Sequence, residues 1–569
     1  MESREDKLKK LESLGINPYP HSFPVDDFIG NIRSKFEREP EGDEQITIEG
    51  TVKKISRTED SYLLRLQDPE GIEVLVYTDL EGLETGRKVR LRGTVKRIEG
   101  KLSITDAVPS EDPPTPLKEF KKRYDDDPKG ESVSLGGRLV SLRTMGKAIF
   151  GHIQDLTGKI QIYIRKDTVG DEGFRFFNEF IDLGDILGAR GSLFRTRTGE
   201  LTLEVHEFKL LAKCLRPLPE KWHGLRDTEL RHRQRYLDLI ANPRSRETFL
   251  LRSSIIKELR NFLDSRGFIE VETPILQQVA SGANAKPFVT YHNYLEMNLY
   301  LRIAPELYLK RLIVGGFPRV YEIGRNFRNE GVDRTHNPEF TMVEFYAGYW
   351  DYEDLMTFTE ELLEHLLIKT VGKTKITYQG KEINFKPPYR RVSYFELLEE
   401  KTGKDKEFFL RNLEGLKALA GELDVANYQS LSHARLIDKV FEKLCEEELI
   451  QPTFVIDFPA LLSPLAKPHR KEPDLVERFE LIVATHEIAN AYTELNDPRI
   501  QEERFKQQLR EREMGDEEAM ETDEDFIRAL EMGMPPTAGE GIGIDRLVMI
   551  LTDTDNIRDV ILFPHLRPK

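Results

Sequence analysis

Residues 46–110 carry short segments in which apolar and polar positions alternate with a period of two. The segments ITIEGTVKKI, YLLRLQDPEGIEVLVY and KVRLRGTVKRI follow this pattern, which predicts strands joined by short turns. The preceding residues begin with a helical pattern that breaks at Asn17-Pro18-Tyr19-Pro20. We therefore predict an N-terminal helical extension at 1–44, followed by a small β domain at 45–110.

The β pattern returns after a proline-rich link and repeats landmarks of the first copy. Three landmarks recur at an offset of 87 residues and two at an offset of 98. The pairs are Gly50 and Gly137, Gln67-Asp68 and Gln154-Asp155, Gly71 and Gly158, Gly86 and Gly184, and Gly93 and Gly191. The longer offset coincides with a helix-like insertion, DTVGDEGFRFFNEF. Two tandem OB-type barrels, at 45–110 and 111–213, explain the repeat. Two unrelated β modules that share turn glycines are the alternative.

From residue 243 onwards helical and strand patterns mix, which predicts an α+β domain at 243–569. A helix is expected over 253–264, because its apolar residues share one face. The segment EVETPIL predicts a strand that ends at Pro274, and two strands are expected within 321–349 around the polar loop RNEGVDRTHNPEF. Residues from about 351 to 475 are predicted to form a helical insertion. Strand patterns return in FELIVATHEIANAYTEL and, before a helix, in GEGIGIDRLVMIL.

Composition and charge narrow the class of protein. The chain has 569 residues, which is enough for about three to four domains. Its net charge of −16 argues against a generic nucleic-acid coat protein. Its two cysteines, Cys214 and Cys445, form no disulfide framework or CxxC zinc motif. The charged N-terminus is unlike a signal peptide, and no run of about 18 apolar residues is present, so we expect a soluble, cytoplasmic protein without a membrane segment.

Residues 214–242 are predicted to be a hinge with a local excess of positive charge. Between Lys213 and Arg235 there are seven Lys or Arg residues and three Asp or Glu residues. A basic hinge beside nucleic acid accounts for this charge, and a solvated connector between domains accounts for it equally well.

Two segments of the α+β domain have residues suited to phosphate binding. Arg328 can clamp phosphate and carboxylate oxygens, and Phe340 in the same loop can stack on a nucleobase. An isolated arginine is, however, more often a surface ion-pair partner. The glycine-rich turn 539–543 leads to Arg546 near a helix start, where phosphates are favoured, although most such turns are only turns.

A third segment combines carboxylates with other polar residues. Glu480 and Glu487 suit Mg²⁺ if phosphate is nearby. A period of two puts Asn490, Tyr492 and Glu494 on one face of a strand. That face is a poor core and a good polar pocket, and an exposed edge strand is the alternative.

Taken in order, three segments resemble the three motifs of the class II aminoacyl-tRNA synthetases. These segments are FLDSRGFIEVETPIL, FRNEGVDRTHNPEFTMVEFY and GIGIDRL. Five further segments narrow the resemblance to the lysyl-tRNA synthetases: APELYLKRL, EIANAYTELND, RTMGKAIFGHIQD, LRPLPEKWHGLRDTELRHRQRYLDL and IRDVILFP. The resemblance covers about residues 1–40 and 115–569, so the first barrel is an insertion relative to the usual family pattern.

The resemblance implies a catalytic domain built on an antiparallel sheet, an OB domain that binds the anticodon, and a homodimer. Motif 1, around Pro274, is the dimer element of the family. The implied reaction joins L-lysine to ATP, giving lysyl-adenylate and pyrophosphate, and then transfers the lysyl group to the terminal adenosine of tRNA-Lys. Mg²⁺ is the implied metal ion.

The resemblance also assigns roles by position. Arg328 and Arg546 are the implied catalytic residues. The implied ATP-binding residues are Arg328, Glu330, His336, Asn337, Phe340, Glu487 and Arg546. The implied metal ligands are Glu480 and Glu487. The implied lysine-binding residues are Gly282, Glu306, Arg328, Glu344, Tyr346, Asn490, Tyr492 and Glu494. The implied anticodon-binding residues of the second barrel are Arg143, Phe150, Gln161 and Glu200.

The departures from the family concern the first barrel and three residues of the catalytic domain. At an offset of 87, Arg143, Phe150 and Gln161 become Ser56, Leu63 and Val74, so the first barrel is not expected to read an anticodon. Contact with another part of the tRNA and a stabilising or partner-binding role both stay open. The three unusual residues are Ser281, Asn284 and Glu540; Glu540, near Arg546 in sequence, is expected to affect the ATP site.

Three other functions compete with a lysine–tRNA ligase. Paralogs that lysylate a protein or lipid, or make dinucleotides, commonly lack the anticodon barrel or carry a membrane segment. A non-catalytic RNA-binding or scaffold protein would not need Arg328, Glu487 and Arg546 together. An aspartyl or asparaginyl relative would not need Glu344 together with Glu494. The sequence therefore favours a ligase for lysine.

Overall fold

A computed structural model describes residues 3–19, 29–36, 45–57, 61–68, 72–80, 83–98, 101–109, 128, 130–218, 225, 227–513 and 520–568. The chain divides into two compact units, Met1–Glu220 and Lys221–Lys569. The proline-rich link from 110 on, the landmark Gly71, the break at Pro20 and part of the predicted hinge (219–224 and 226) lie outside the described residues.

The first unit contains three helices and two closed barrels among its described residues. The helices are α1 (Arg4–Ser13), α2 (Ile29–Phe36) and α3 (Lys166–Phe180). The first barrel consists of β1 (Gln45–Arg57), β2 (Tyr62–Gln67), β3 (Glu73–Thr78), β4 (Lys88–Ile98) and β5 (Lys101–Pro109). The second barrel consists of β6 (Ser132–Met145), β7 (Ala148–Gln154), β8 (Lys159–Arg165), β9 (Ile186–Arg195) and β10 (Leu201–Ala212). Helix α3 is the insertion that the longer offset predicts.

The two barrels have the same strand order. The first closes as β1-β2-β3-β5-β4 and the second as β6-β7-β8-β10-β9. In both, alternate residues face inward, as the period of two requires; strand β8, for example, buries Ile160, Ile162 and Ile164. Each barrel has a separate apolar core. The predicted repeat is therefore present in the backbone.

Strand pairing corrects one equivalence between the barrels. Gln67 pairs with Glu73 in the first barrel, whereas Gln154 pairs with Lys159 in the second. The β2–β3 turn is therefore one residue longer than the β7–β8 turn. As a result, the first-barrel equivalent of Gln161 is Leu75 and not Val74, which lies in the barrel core.

The second unit is a mixed α and β domain. Its helices are α4 (Thr228–Arg233), α5 (Arg235–Ala241), α6 (Pro243–Ser265), α7 (Glu306–Val314), α8 (Tyr352–Thr370), α9 (Tyr394–Thr402), α10 (Lys406–Arg411), α11 (Leu413–Glu422), α12 (His433–Leu444), α13 (Pro498–Glu513), α14 (Glu524–Glu531), α15 (Ile544–Leu551) and α16 (Ile557–Val560). Its strands are β11 (Ile269–Glu270), β12 (Leu276–Gln277), β13 (Val289–His292), β14 (Met297–Leu301), β15 (Arg319–Phe327), β16 (Glu339–Gly348), β17 (Lys375–Tyr378), β18 (Lys381–Asn384), β19 (Arg390–Ser393), β20 (Thr453–Pro459), β21 (Leu475–Val483), β22 (His486–Thr493) and β23 (Thr537–Gly543).

An eight-stranded sheet organises this unit, in the order β11-β15-β16-β23-β22-β21-β20-β19. Its central pairs are antiparallel, and only the two outermost pairs are parallel. Helices α6, α8 and α15 cover one face and share its apolar core. Helix α8 begins at a capping box in which Asp351 and Asp354 satisfy free backbone N–H groups. Other residues of the sheet belong to two further apolar clusters, and the polar residues described below lie on the four central strands β16, β23, β22 and β21.

Two local predictions differ from the structure. The segment 351–475 is not only helical, because it also contributes β19, β20 and the start of β21 to the main sheet. The segment EVETPIL is not a continuous strand: β11 and β12 flank Pro274 and belong to different sheets. Proline lacks the N–H that strand pairing needs, which explains this interruption. Among the helices of the described residues, none combines the length and apolar character needed to cross a membrane.

Candidate functional site

Four adjacent strands, β16, β23, β22 and β21, form the floor of the candidate site. Pairing across them gives two rows of residues, Glu344–Gly541–Asn490–Glu480 and Tyr346–Gly539–Tyr492–Arg478. A Cβ on Gly539 would lie 2.3 Å from both Glu494 Oε1 and Tyr346 Cε1. Glycine at this position therefore lets side chains from the neighbouring strands converge.

Three buried carboxylates lie at one end of this floor. Glu306 is 5% exposed, Glu344 5% and Glu494 1%. Tyr492 donates its hydroxyl proton to Glu306 at 2.6 Å, and Tyr346 donates to Glu344 at 3.2 Å. The structure thus brings together three of the predicted lysine-binding carboxylates and both predicted tyrosines.

Lys310 is a residue of this cluster that sequence reasoning missed. Its Nζ is fully buried and lies 2.6 Å from Glu306 Oε1, and it also donates to Glu494. Burial opposes its charge, but Glu306 and Glu494 outweigh this and raise the pKa of Lys310. The spacing of four residues after Glu306 in helix α7 was a weak signal for this contact.

The carboxylates of the cluster have too few cations around them. Burial, followed by the charge of Glu306, raises the pKa of Glu344 to about 8. Burial also raises the pKa of Glu494 to about 8, although Lys310 acts in the opposite direction. Oxygen Oε1 of Glu494 is buried and has no hydrogen-bond partner among the described residues. The site can therefore accept additional positive charge.

Gly282 lies beside this cluster. Its φ is +95°, a value that favours glycine, and a Cβ there would lie 3.5 Å from the Cβ atoms of Ala304 and Glu306. The hydroxyl of its neighbour Ser281 is buried and has no hydrogen-bond partner within the described part of the chain, whereas Asn284 is exposed. The structure thus places two of the predicted lysine-binding residues, Gly282 and Glu306, against each other.

Arg328 and Arg546 belong to the opposite end of the site. Arg546 donates to the backbone oxygen of Glu487 at 2.9 Å and lies 3.3 Å from its carboxylate. The same guanidinium donates to Nε2 of His336 at 3.1 Å. Arg328 stacks over Phe340, with its Cζ 5.1 Å from the ring centroid. Burial lowers the pKa of Arg328, and the negative charges of Glu330 and Glu487 act in the opposite direction.

The two other predicted ATP-binding residues differ in exposure. Glu330 is exposed, in the loop between β15 and β16. Asn337 is buried; its amide donates to the backbone oxygen of Glu339 at 2.5 Å, and its Oδ1 has no hydrogen-bond partner in the segments that the structure describes. Glu330 and Asn337 lie in the same loop as His336. Because the Oδ1 of Asn337 accepts no hydrogen bond from the described residues, it is available to a ligand at this part of the site.

Asn490 connects the two predicted metal ligands. Its Nδ2 lies 3.5 Å from Glu480 Oε1 and 3.4 Å from Glu487 Oε1. Glu480 also accepts a hydrogen bond from Arg478. Burial raises the pKa of Glu480 to about 8, with Arg478 lowering it and Glu487 raising it. Among the described residues, no group of three or more His, Cys, Asp or Glu side chains has a metal-binding arrangement.

Glu540 does not face the ATP site, contrary to the sequence-based expectation. It lies between Gly539 and Gly541 on β23, so strand alternation directs it to the opposite face of the sheet. There it is 1% exposed and bonds to Oγ1 of Thr359 in α8 at 2.7 Å. Although Glu540 is close to Arg546 in sequence, it therefore does not contribute to the ATP site.

The second barrel carries a separate cluster of polar and aromatic residues, which we call the reader face. Phe150 stacks on Tyr163 with centroids 4.6 Å apart, and Phe194 follows at 5.9 Å from Tyr163. Arg143 is exposed and pairs in register with Phe150. The face therefore offers a row of rings with a cation beside it.

A chain of hydrogen bonds completes the reader face. Ser141 donates to His152 at 2.6 Å, and His152 donates to Glu200 at 2.9 Å. Gln161 donates to Glu200 at 3.1 Å and accepts from Thr202 at 2.9 Å. The structure thus brings together Arg143 with Phe150, and Gln161 with Glu200. The sequence reasoning missed His152 and Tyr163, which lie two residues after Phe150 and Gln161 on β7 and β8, and it missed Phe194 on β9.

Comparison with known proteins agrees with this arrangement. Residues 227–567 match a family model described as class II tRNA synthetases (D, K and N), and residues 133–211 match one described as an OB-fold nucleic acid binding domain. The lysine–tRNA ligase of Aquifex aeolicus is 65% identical over 568 residues, which are 100% of this chain and 95% of that protein. The lysine–tRNA ligase of Pelotomaculum thermopropionicum is 55% identical over 442 residues, 77% of this chain and 86% of that protein. The one from Halalkalibacterium halodurans is 52% identical over 478 residues, 83% and 93% of the two chains.

The first barrel is covered by the match to one relative but not by the OB-fold family model. The match to the Aquifex aeolicus protein extends over the whole chain, so it includes the first barrel. The OB-fold model matches the second barrel. For the first barrel, membership of the OB family stays a prediction that rests on the shared strand order.

Proposed function

The chain belongs to the lysine–tRNA ligases of the class II tRNA synthetases, and we propose that lysine and ATP react in the pocket above β16, β23, β22 and β21. The function of this family is the function of this chain: ATP-dependent attachment of L-lysine to tRNA through a lysyl-adenylate. The roles of individual residues, the metal ion and the oligomeric state are the parts that we propose.

The assignment of lysine as the substrate rests on one observation, the charge of the buried carboxylate cluster. Lys310 pairs with Glu306 and Glu494, and Glu344 has no ion-pair partner among the described residues, so one ammonium group serves a cluster of three buried carboxylates. Lysine brings two ammonium groups, one for Glu306 beside Gly282 and one for Glu344 and Glu494. An amino acid with a neutral side chain would leave a buried carboxylate unpaired, which costs several kcal/mol.

The carboxylate of the bound lysine faces the arginine end of the pocket in this proposal. Arg328 holds both this carboxylate and the α-phosphate of ATP, and Asn490 is a second carboxylate contact. Phe340, already stacked on Arg328, lies against the adenine. Glu330, His336 and Asn337 hold other groups of ATP, and the ring of Tyr492 packs on the aliphatic chain of lysine.

Attack of the carboxylate on the α-phosphate requires positioning and neutralisation of charge, and it requires no protein base. Arg328 draws the two reacting groups together and stabilises the charge that develops on the phosphate oxygens. Arg546 binds the γ-phosphate end, where pyrophosphate leaves. Its bonds to Glu487 and His336 keep the guanidinium oriented before ATP arrives.

We further propose that Mg²⁺ accompanies ATP at Glu480 and Glu487. The two carboxylates share Asn490, and the raised pKa of Glu480 supports the binding of a cation at this pair. Carboxylate oxygens with phosphate oxygens are the ligands that Mg²⁺ prefers. When bound, the ion would neutralise phosphate charge.

Site variants test the lysine assignment in the ATP–pyrophosphate exchange reaction. Glu344→Gln and Glu494→Gln remove one carboxylate charge each, and we expect the KM for lysine to rise about 100-fold, with little change in the KM for ATP. Glu540→Gln is the matched control, because this glutamate is equally buried but lies on the opposite face of the sheet. Equal effects of all three variants would contradict the assignment.

The tRNA partner, the dimer and the location complete the proposal. The reader face of the second barrel binds the anticodon of tRNA-Lys, with Phe150 stacked on a base and Arg143, Gln161 and Glu200 reading base edges.

The sheet β12-β14-β13 and its turns expose apolar side chains, which suits a homodimer interface. These side chains are Ile275, Leu276, Val289, Tyr291, Tyr294 and Leu295. The enzyme works in the cytoplasm as this dimer; sedimentation of the full chain as a monomer would contradict the dimer.

A further inference from the structure

The first barrel has a face that is built from the same strand positions as the reader face, but the side chains at these positions are chemically different. Strand pairing fixes the equivalence, because both barrels have the same order and comparable registers. The second-barrel residues Ser141, Arg143, Phe150, His152, Gln161, Tyr163, Phe194 and Glu200 correspond to Lys54, Ser56, Leu63, Arg65, Leu75, Tyr77, Lys96 and Lys101. We call these eight first-barrel positions the basic face.

The stacked pair of rings and the amide of the reader face are missing from the basic face. Leu63 and Leu75 stand at the positions of Phe150 and Gln161, so a stacking ring and an amide are replaced by aliphatic side chains. Tyr77 alone keeps an aromatic ring, at the position of Tyr163. This face therefore lacks the row of rings and the amide with which the reader face can recognise individual bases.

Basic residues replace several of the polar and aromatic residues of the reader face. The positions of Ser141, His152, Phe194 and Glu200 are held by Lys54, Arg65, Lys96 and Lys101. Lys54 and Lys96 are exposed, and Lys54 is the direct cross-strand partner of Arg65. Glu73 pairs with Arg65 at 3.5 Å and offsets part of this charge. Basic residues at four strand positions of this face, in a protein of net charge −16, favour a polyanionic ligand.

We propose that the basic face binds the sugar–phosphate backbone of RNA without reading its sequence. Lysine and arginine contact phosphate oxygens, and such contacts give affinity that is independent of sequence. Tyr77 adds a surface on which any base can stack. The first barrel thus strengthens the binding of tRNA, and the second barrel selects it. This inference goes beyond the proposed function, since lysine activation and anticodon reading do not require it.

Binding of the full-length enzyme to two RNAs tests this inference. The RNAs are a tRNA-Lys transcript and the same transcript with a changed anticodon, titrated between 50 and 200 mM salt. We expect Lys54→Gln/Lys96→Gln/Lys101→Gln to weaken both by a similar factor, about tenfold, and to reduce the slope of log Kd against log salt by about two. Lys88→Gln/Arg90→Gln is the control, because both side chains pair with Glu49 outside the basic face.

The outcome separates this inference from the rest of the account. Phe150→Ala should show the opposite pattern, with less discrimination between the two transcripts and an unchanged salt slope. The triple variant should keep lysine-dependent pyrophosphate exchange without tRNA, which shows that the catalytic site is intact. Wild-type affinity and salt slope in the triple variant would overturn the inference, as would a loss confined to the native anticodon.

Discussion

Glu540 gives the sharpest quantitative prediction, because it is a buried carboxyl that has no counter-ion among the described residues. Its Oε1 has no hydrogen-bond partner, and its Oε2 lies 2.7 Å from Oγ1 of Thr359. Thr359 Oγ1 also lies 2.7 Å from the backbone oxygen of Leu355. One hydroxyl proton cannot serve both contacts, so a protonated Glu540 that donates to Thr359 satisfies the chain. Burial raises the pKa of Glu540 to about 8, in agreement with this arrangement.

The raised pKa makes the folded state retain a proton that the unfolded state loses. Stability must therefore fall as the pH rises from about 4.5 to about 8, and it levels off above that. At 1.36 kcal/mol for each tenfold change in proton affinity, the full loss is up to about 5 kcal/mol. Glu540→Gln keeps the shape and can donate to Thr359 at every pH, so it should remove this loss.

Scanning calorimetry of the wild type and Glu540→Gln from pH 5 to pH 9 measures the effect. The melting temperatures of the catalytic unit should be similar at pH 5 and should diverge towards pH 8, with the variant higher by roughly 5 to 10 °C. A difference that stays constant over this range would refute the reasoning. It would mean that Glu540 has the same charge in the folded and unfolded states.

Three further predictions concern the pocket and the reader face. Lys310→Met should leave Glu306 and Glu494 without their cation and lower the stability by about 3–5 kcal/mol, measured by denaturant unfolding; an unchanged stability would contradict the buried ion pairs. Because the pKa of both Glu344 and Glu494 is about 8 without substrate, lysine binding at pH 7 should release protons, and the KM for lysine should fall between pH 6.5 and pH 8. Calorimetric titration in buffers of different ionisation enthalpy measures that release, and none would count against ionised carboxylates as the ligands. Phe150→Ala should lower the charging of tRNA-Lys without affecting pyrophosphate exchange; equal losses in both assays would contradict an anticodon role.

Much of the site could be predicted from the sequence because its residues lie within short motifs. Asn490 and Tyr492 alternate on one strand, and this period of two is a local property that survives folding. The loop with Arg328 and Phe340 is likewise one continuous segment. Such groups require little knowledge of tertiary structure.

Residues whose role depends on pairing between distant strands could not be placed in the same way. Lys310 acquires its role only when Glu494, 184 residues later, is folded against it. The equivalence of Gln161 with Leu75 depends on the length of one turn, which the landmark glycines do not reveal. Glu540 is near Arg546 in sequence, yet alternation along β23 puts it on the other face of the sheet. In each case the surroundings of the side chain depend on the pairing of distant segments, and a shift of one residue along a strand moves a side chain to the other face of the sheet.

The central claim is that the buried cluster of carboxylates selects lysine. Amino-acid-dependent ATP–pyrophosphate exchange, measured with each of the twenty amino acids, with Mg²⁺ and without tRNA, tests it most directly. The account predicts exchange with lysine and none above background with the other nineteen. Exchange with a neutral or acidic amino acid, or none with lysine in the folded enzyme, would contradict it.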